Sequence, residues 1–348
     1  MTHDSKPMPT SPADAQPTVF GHPAGLVVLF FTEMWERFSF YGMRALLVLY
    51  MTDYLFLRPD VNSDVFGMGA LRGALESAFG PLETQPLASQ VYGLYTGLVY
   101  LTPFFGGMLA DRVWGQRRTV VVGGVLMAIG HFLMAIESLF LVALLFLILG
   151  NGAFKPNIST QVGGLYADGD PRRDGAYTIY YMGINLGAFL APLMCGTLGQ
   201  KLGWHYGFGA AGVGMCLGLV LYLAGQRYLG PDEFQPAKGA APAEPLTRDE
   251  WRRVGALVVL CALNVVFWAV YEQQGNTMQL WADDQTRWDF FGWEMPSTWF
   301  QSFNPFIIFM FAPVLAGFWA IQARRGGEPS SVTKMAIGCF LLGSSFAI

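Results

Sequence analysis

Runs of some twenty apolar residues recur along this chain, and that is the length a helix needs to cross the hydrocarbon core of a bilayer. They fall at roughly 24–52, 87–110, 117–136, 139–162, 174–198, 204–228, 252–274, 298–321 and 334–348, about nine in all. Inside lipid a segment must satisfy its own backbone hydrogen bonds, so such spans fold as helices and predict an all-α polytopic bundle. Composition agrees: 53% of the residues are apolar and 13% charged, where soluble domains carry about a quarter charged. The basic residues lie in particular loops and form no patch for nucleic acid. The lipid bilayer is the one partner that composition demands, and no obligatory protein partner is inferred. The four cysteines sit inside apolar runs without CxxC spacing, as small hydrophobes in helix packing do; no disulfide or metal site is expected.

Residues 1–20 are polar and rich in Pro, Ser, Thr and Ala. They lack the basic start and apolar core of a signal peptide and are expected to form a disordered cytoplasmic tail. Residues 21–229 then hold six spans. Residues 230–250 are a Pro/Ala/Gly-rich linker, and 251–348 hold the remaining spans. The last run is barely 15 residues long at Ile348. A helix stopping in mid-bilayer strands its carbonyls, so the expectation is the amino-terminal part of a longer protein, with an incomplete second bundle. Two six-helix halves are a common transporter plan.

Loop charge sets the orientation. The turns after the even-numbered spans hold Arg112, Arg117 and Arg118; Arg172 and Arg173; Arg227, Lys238, Arg248, Arg252 and Arg253; and Arg324, Arg325 and Lys334. The intervening loops hold only Arg58 and Arg72, then none, then Lys201, then Arg287. The positive-inside rule places the basic turns and the amino terminus in the cytoplasm. In the long outer loop, VFGMGALRGALESAF has apolar residues at helical spacing and predicts a short surface helix.

A charge at the centre of a bilayer costs about 2.5–3.5 kcal/mol on insertion scales, so each one inside a span asks for a reason. The first span, LVVLFFTEMWERFSFYGMRALLVLY, puts Glu33, Glu36, Arg37, Phe40, Tyr41 and Arg44 on one helical face. Either this is an ion-pair cluster pinning helices together, or it lines a polar cavity. Other spans favour the cavity. Lys155 sits mid-span after Asn151 and before Pro156, and needs a carboxylate partner, for which Glu33 and Glu36 are the candidates. Tyr177, Tyr181 and Asn185 fall at i, i+4, i+8, as do Asn264, Trp268 and Glu272, and a further span contains Asn304-Pro305. Carboxylates, cations, aromatics and amides together suit a zwitterionic solute of modest size. Carboxylates facing cations suit a proton relay, because protonation dissolves the pair and frees the helices to move.

These residues resemble the proton-dependent oligopeptide transporters, a family within the major facilitator superfamily. Glu33-Met-Trp-Glu36-Arg37-Phe38-Ser39-Phe40-Tyr41 matches the family's ExxERFxYY motif except at one place, and Tyr180 to Gly187 resembles its FYxxINxG signature. GNGAFKPN around Lys155, FWAVYEQ around Glu272, SFNP around Asn304 and the loop GMLADRVWGQRR are similar to the family too. The resemblance runs from about Phe20 to the last residue. It implies the major facilitator fold, with about nine of an expected twelve spans present, and symport of di- and tripeptides with protons into the cell across an inner membrane. It implies no cofactor, the proton gradient being the drive. Glu33, Glu36, Arg37, Lys155 and Glu272 would couple protons. Arg44 and Lys155 would receive the peptide carboxylate, and Arg44 would pair with Glu272 to close an outer gate. Asn185 and Asn304 would bond the peptide backbone or its amino end, and Tyr41, Tyr100 and Trp268 would line side-chain pockets.

Two departures stand out. Phe40 replaces the first Tyr of the motif, which implies a missing hydroxyl contact to substrate. Mammalian members carry a His on the second span where this chain has Gly93. No HExxH, GxSxG, P-loop or dinucleotide fingerprint occurs in a suitable context, so no enzyme is expected. A relative carrying a non-peptide solute such as nitrate, or a peptide-binding receptor without transport, are the alternatives.

Overall fold

The computed structural model describes residues 17–230, Asp232 and 247–347. Residues 1–16 of the expected tail and most of the expected linker lie outside these; residues 17–20 of that tail are ordered, with Thr18–Val19 pairing to His22–Pro23 in a short hairpin. Among the described residues the long helices are α1 (Ala24–Asp53), α2 (Thr84–Leu109), α3 (Gln116–Leu133), α4 (Phe140–Gly164), α5 (Arg173–Ala191), α6 (Trp204–Gly225), α7 (Arg248–Tyr271), α8 (Phe300–Arg324) and α9 (Ser331–Ser345). The only strands among the described residues are those of two short hairpins, two residues to a strand.

Five segments are long and apolar enough to cross a membrane on length and composition alone: Glu137–Gly164, Arg173–Lys201, Trp204–Tyr228, Arg248–Gln285 and Ser297–Arg324. Helix α1 is not among them, because Glu33, Glu36, Arg37 and Arg44 interrupt its apolar run. It is nonetheless the most enclosed helix, with Leu46 to Met51 wholly buried. Helices α5 and α6 pack along it, while α3 packs on α4 and α2 on α4. Glycines allow the closest approaches. A Cβ on Gly187 of α5 would lie 2.2 Å from the Met34 carbonyl of α1, and one on Gly106 of α2 only 2.0 Å from the Gly152 carbonyl of α4.

The helix bounds depart from the apolar runs where chemistry intervenes. The run at 174–198 is not one regular helix: α5 ends at Ala191, Pro192–Gly196 form a π-helical turn, and Thr197–Lys201 resume α-helix. Proline removes the amide hydrogen the regular ladder needs. The run at 252–274 also stops early. Helix α7 ends at Tyr271, so Glu272 opens a 3-10 turn, Glu272–Gly275, instead of continuing the stripe of Asn264 and Trp268. The start of α7 is fixed by a capping box in which Thr247 and Glu250 satisfy each other's backbone amides, as such boxes do. The expected surface helix is present as Met68–Phe79. Of the cysteines, Cys195 is buried, Cys216 half-buried, and Cys261 and Cys339 exposed.

Helix α8 joins the second group of helices to the first through α5. The outward faces of α7 and α8, including Leu257, Val258, Val265, Val266, Phe311 and Val314, are apolar and without protein cover among the described residues.

Candidate functional site

Helices α1, α2, α4 and α5 on one side and α7 and α8 on the other enclose a cavity of about 330 Å³. Tyr41, Arg44, Tyr100, Lys155, Asn185, Trp268, Glu272 and Asn304 all line it. They come from separate helices and turns, and spacing along any one of these could not say that they meet. Cavities of this size, apolar with a few convergent polar groups, are the usual form of small-solute sites.

Arg44 is the centre of one polar cluster. Its Nε donates to the Tyr92 hydroxyl at 2.7 Å, and its terminal nitrogen to Glu272 Oε2 at 2.5 Å. Tyr100 donates its hydroxyl to the other Glu272 oxygen at 3.1 Å. Position 275 must be glycine for this to form, since a Cβ there would lie 2.2 Å from the Tyr92 hydroxyl. The pair therefore ties α1 and α2 to the turn after α7, and each charge is satisfied within the cluster.

Lys155 lies differently. Its ammonium sits over the Tyr100 ring, 4.8 Å from the centroid, and among the described residues no carboxylate lies within ion-pair distance of it. The expected pairing with Glu33 or Glu36 is absent from this conformation. Arg37, on the same helix as both acids, has taken them: Nε stands 3.2 Å from Glu33, and the guanidinium grips Glu36 with two bonds, Nη2 to Oε1 at 2.7 Å and Nε to Oε2. A guanidinium fork matches a carboxylate better than an ammonium does. Glu33, Glu36 and Arg37 do not line the cavity; all three are buried beside it. A free cation in the cavity and a locked triad next to it are the two charged centres that face each other here.

Phe40 corrects an expectation. It is buried, it packs against Arg37 with the guanidinium carbon 5.2 Å from its ring, and it is not part of the cavity wall. In this conformation the Phe40 ring lies on Arg37 of the triad. Gly93 faces open space: a Cβ added there would meet nothing within 4 Å.

The polar stripe on α5 is split. Tyr181 and Asn185 line the cavity and Tyr177 does not; Asn264 on α7 is also outside it. Four polar cavity or gate residues escape sequence reasoning: Tyr92, Tyr271, Gln274 and Gln301. Tyr271 stands within the FWAVYEQ run, and that motif is the signal that points to it. Tyr92 and the glutamines carry no periodic signal of their own.

A helical bundle whose charged interior surrounds a solute-sized cavity between two helix groups defines a membrane transporter. The chain matches the POT family over residues 117–243 and 244–348. It is 34% identical to the peptide transporter YePEPT of Yersinia enterocolitica subsp. palearctica serotype O:3, over 95% of this chain and 74% of that protein. It is 33% identical to a di-/tripeptide transporter of Lactococcus lactis subsp. cremoris, over 95% of this chain and 76% of that one. A crystal structure of a mutant POT peptide transporter in complex with alafosfalin superimposes with a TM-score of 0.73 at 35% identity, covering 96% of this chain and 75% of the other. The chain belongs to the POT family, and its fold is that of the major facilitator superfamily.

Proposed function

We propose that this protein carries di- and tripeptides into the cell by symport with protons, through alternating access. One observation carries the reading: an ammonium without a carboxylate partner, Lys155, shares a cavity of about 330 Å³ with amides, aromatic rings and a carboxylate already neutralised by Arg44. Such a site has one cation left over for an anionic group of the solute, and amides for a polar backbone. The relatives named as peptide transporters support the same substrate class.

In this reading Lys155 receives the peptide carboxylate, with Arg44 joining it when the outer gate opens. Asn185 and Asn304 bond the peptide backbone, and Tyr41, Tyr100 and Trp268 flank its side chains. Protonation of the carboxylates Glu33, Glu36 and Glu272 weakens their hold on Arg37 and Arg44. That couples the proton to both the triad and the gate, with Lys155 taking a carboxylate once Arg37 lets go. No cofactor takes part; the proton gradient is the drive. The protein would lie in the inner membrane with its amino terminus in the cytoplasm, as the loop charges require.

The test is uptake of labelled dialanine into liposomes carrying the protein, with and without an inward proton gradient, with tripeptide, free amino acid and nitrate as competitors. Gradient-dependent accumulation blocked by the tripeptide alone is expected. Peptide binding without accumulation would indicate a receptor, and competition by nitrate a non-peptide carrier; either would overturn the proposal.

A further inference from the structure

The first group of helices buries polar side chains that the transport cycle above does not use. His131 of α3 is 0% exposed and Asn151 of α4 is 1% exposed. Among the described residues, neither ring nitrogen of His131 and neither end of the Asn151 amide has a hydrogen-bond partner. Their neighbours show where they point. Gly150 meets Met127 of α3 and Gly152 meets Thr102 of α2, so Asn151, buried between them on α4, turns inward toward α1. Gly130 meets Leu147 and the Ala143 carbonyl of α4, and Gly212 of α6 meets the Phe132 ring, so His131, buried between these on α3, turns inward too. It lies one to two turns, roughly 6–12 Å, along the bundle from Asn151. Helical side chains lean toward the start of their own helix, and on these antiparallel helices that brings the two groups toward each other. Helix α1 presents a matching line. Thr32, Ser39 and Tyr50 are spaced by seven and eleven residues, which stacks them within about 20° on one side of the helix. Their hydroxyls are also buried without partners among the described residues. Tyr41 of the cavity wall, nine residues on from Thr32, falls on the opposite side of α1.

We propose that His131 and Asn151 hold one or two internal waters in a polar seam on the side of α1 away from the cavity, and that this seam carries protons to Glu36. Buried polar groups without partners are rare, and a membrane bundle offers no bulk water to satisfy them. An internal water makes about three hydrogen bonds. It donates and accepts, which suits an amide and an imidazole that each present a donor and an acceptor. Glu36 lies on the same side of α1, one turn from both Thr32 and Ser39. Imidazole takes a proton on one nitrogen and releases one from the other, and polar chains of this kind serve as proton relays inside membranes. Proton and solute then approach α1 from opposite sides, so a proton reaches the triad while solute fills the cavity. The relay rests on the symport reading above; the water site does not.

Three measurements on the purified protein test this. The first is brief X-ray radiolysis of wild type in isotopically labelled water, read by mass spectrometry. Radicals born from bound water should label His131 and Met127, although both are buried, and should spare Cys195, which is equally buried but packed on Gly42. Labelling no greater than at Cys195 overturns the water site. The second is thermal melting of His131→Phe, Asn151→Leu and the double variant. Each single change leaves a water and its remaining partner short of a bond and should lower the midpoint, and the double variant should lower it by less than the sum. A dry seam predicts that each change removes an unsatisfied group and raises the midpoint, with the effects adding; that result also overturns the site. The third is transport. His131→Phe should slow gradient-driven accumulation of dialanine several-fold and leave counterflow exchange at the wild-type rate. Undiminished accumulation in a protein whose seam is shown to be wet overturns the relay. If His131→Phe folds poorly, Asn151→Leu gives the same readout. Failure of wild type to accumulate dialanine under a gradient would overturn the symport reading and the relay with it, while the radiolysis still judges the water.

Discussion

Arg37 holds two carboxylates and Lys155 holds none, and that asymmetry sets what single substitutions should do. In Glu36→Gln the guanidinium keeps Glu33, 3.2 Å away, so the buried cation is not stranded and the variant should fold. The triad has then lost the acid it grips with two bonds. Gradient-driven accumulation of dialanine should fall to background while counterflow exchange persists; accumulation equal to wild type would contradict a coupling role. Lys155→Ala removes an ammonium with no ion pair to break, so the thermal midpoint should barely move. Peptide affinity should drop roughly ten- to hundredfold, the worth of one charge-assisted bond of ~1.5–3 kcal/mol. A variant that loses stability but keeps its affinity would show that Lys155 serves packing. At this scale the sequence was informative about identity and poor about pairing. Helical spacing put Glu33, Glu36 and Arg37 on one face because they share a helix. It could not show that Arg37 would take both acids and leave Lys155 open, nor that Phe40 turns from the cavity to the guanidinium.

The helices themselves were legible to within a few residues, because apolar length and the need to satisfy backbone groups in lipid leave little choice. What escaped was irregular backbone: the π turn at Pro192–Gly196 and the end of α7 at Tyr271. Each falls where the chain bends around the cavity, since Pro192 and Glu272 both line it. Glycines were equally ambiguous in sequence, and the structure separates them. On α2, Gly106 meets the backbone of α4 whereas Gly97 meets nothing within 4 Å. Gly106→Ala forces backbone apart and should destabilise by about 1–3 kcal/mol or more, as overpacking does. Gly97→Ala should be neutral or stabilising by up to about 1 kcal/mol, the gain in helix propensity. Thermal melting in detergent checks both, and equal shifts would mean that α2 and α4 do not meet as described. Gly93→His should likewise be tolerated, because its Cβ enters open space.

For the molecule as a whole, the contacts between the two helix groups are concentrated at one end. Arg44 and Ser89 reach Glu272 and Asn276; Gln200 bonds Ser297 and Thr298; Trp299 donates to Thr197, and Ser302 to the Phe189 carbonyl. In the orientation that the loop charges imply, this is the outer end. The two groups therefore meet at the side that is outer in the proposed orientation. No periodicity in a single chain could have shown this, because the contacts join segments far apart in sequence. The closure has two layers of different chemistry. Arg44–Glu272 lines the cavity, whereas the layer beyond it is built on amides and hydroxyls, Gln200, Ser297, Thr298 and Gln279, with the Lys201–Glu294 ion pair at 2.8 Å on its exposed side. Protonation of Glu272 therefore undoes the first layer and leaves the second. Glu272→Gln imitates that protonation, and Gln200→Ala removes bonds from the second layer. Spin labels at Leu202 and Phe291, both exposed, should report one short distance in wild type. Glu272→Gln should add a minor longer population. The double variant should make it prominent, each ~1.4 kcal/mol removed from the closed state changing the ratio about tenfold. If the distance stays single and short in the double variant, the gate is held elsewhere, with Lys201–Glu294 the next contact to remove; if Glu272→Gln alone opens it fully, the second layer contributes nothing and closure depends on the Arg44–Glu272 pair.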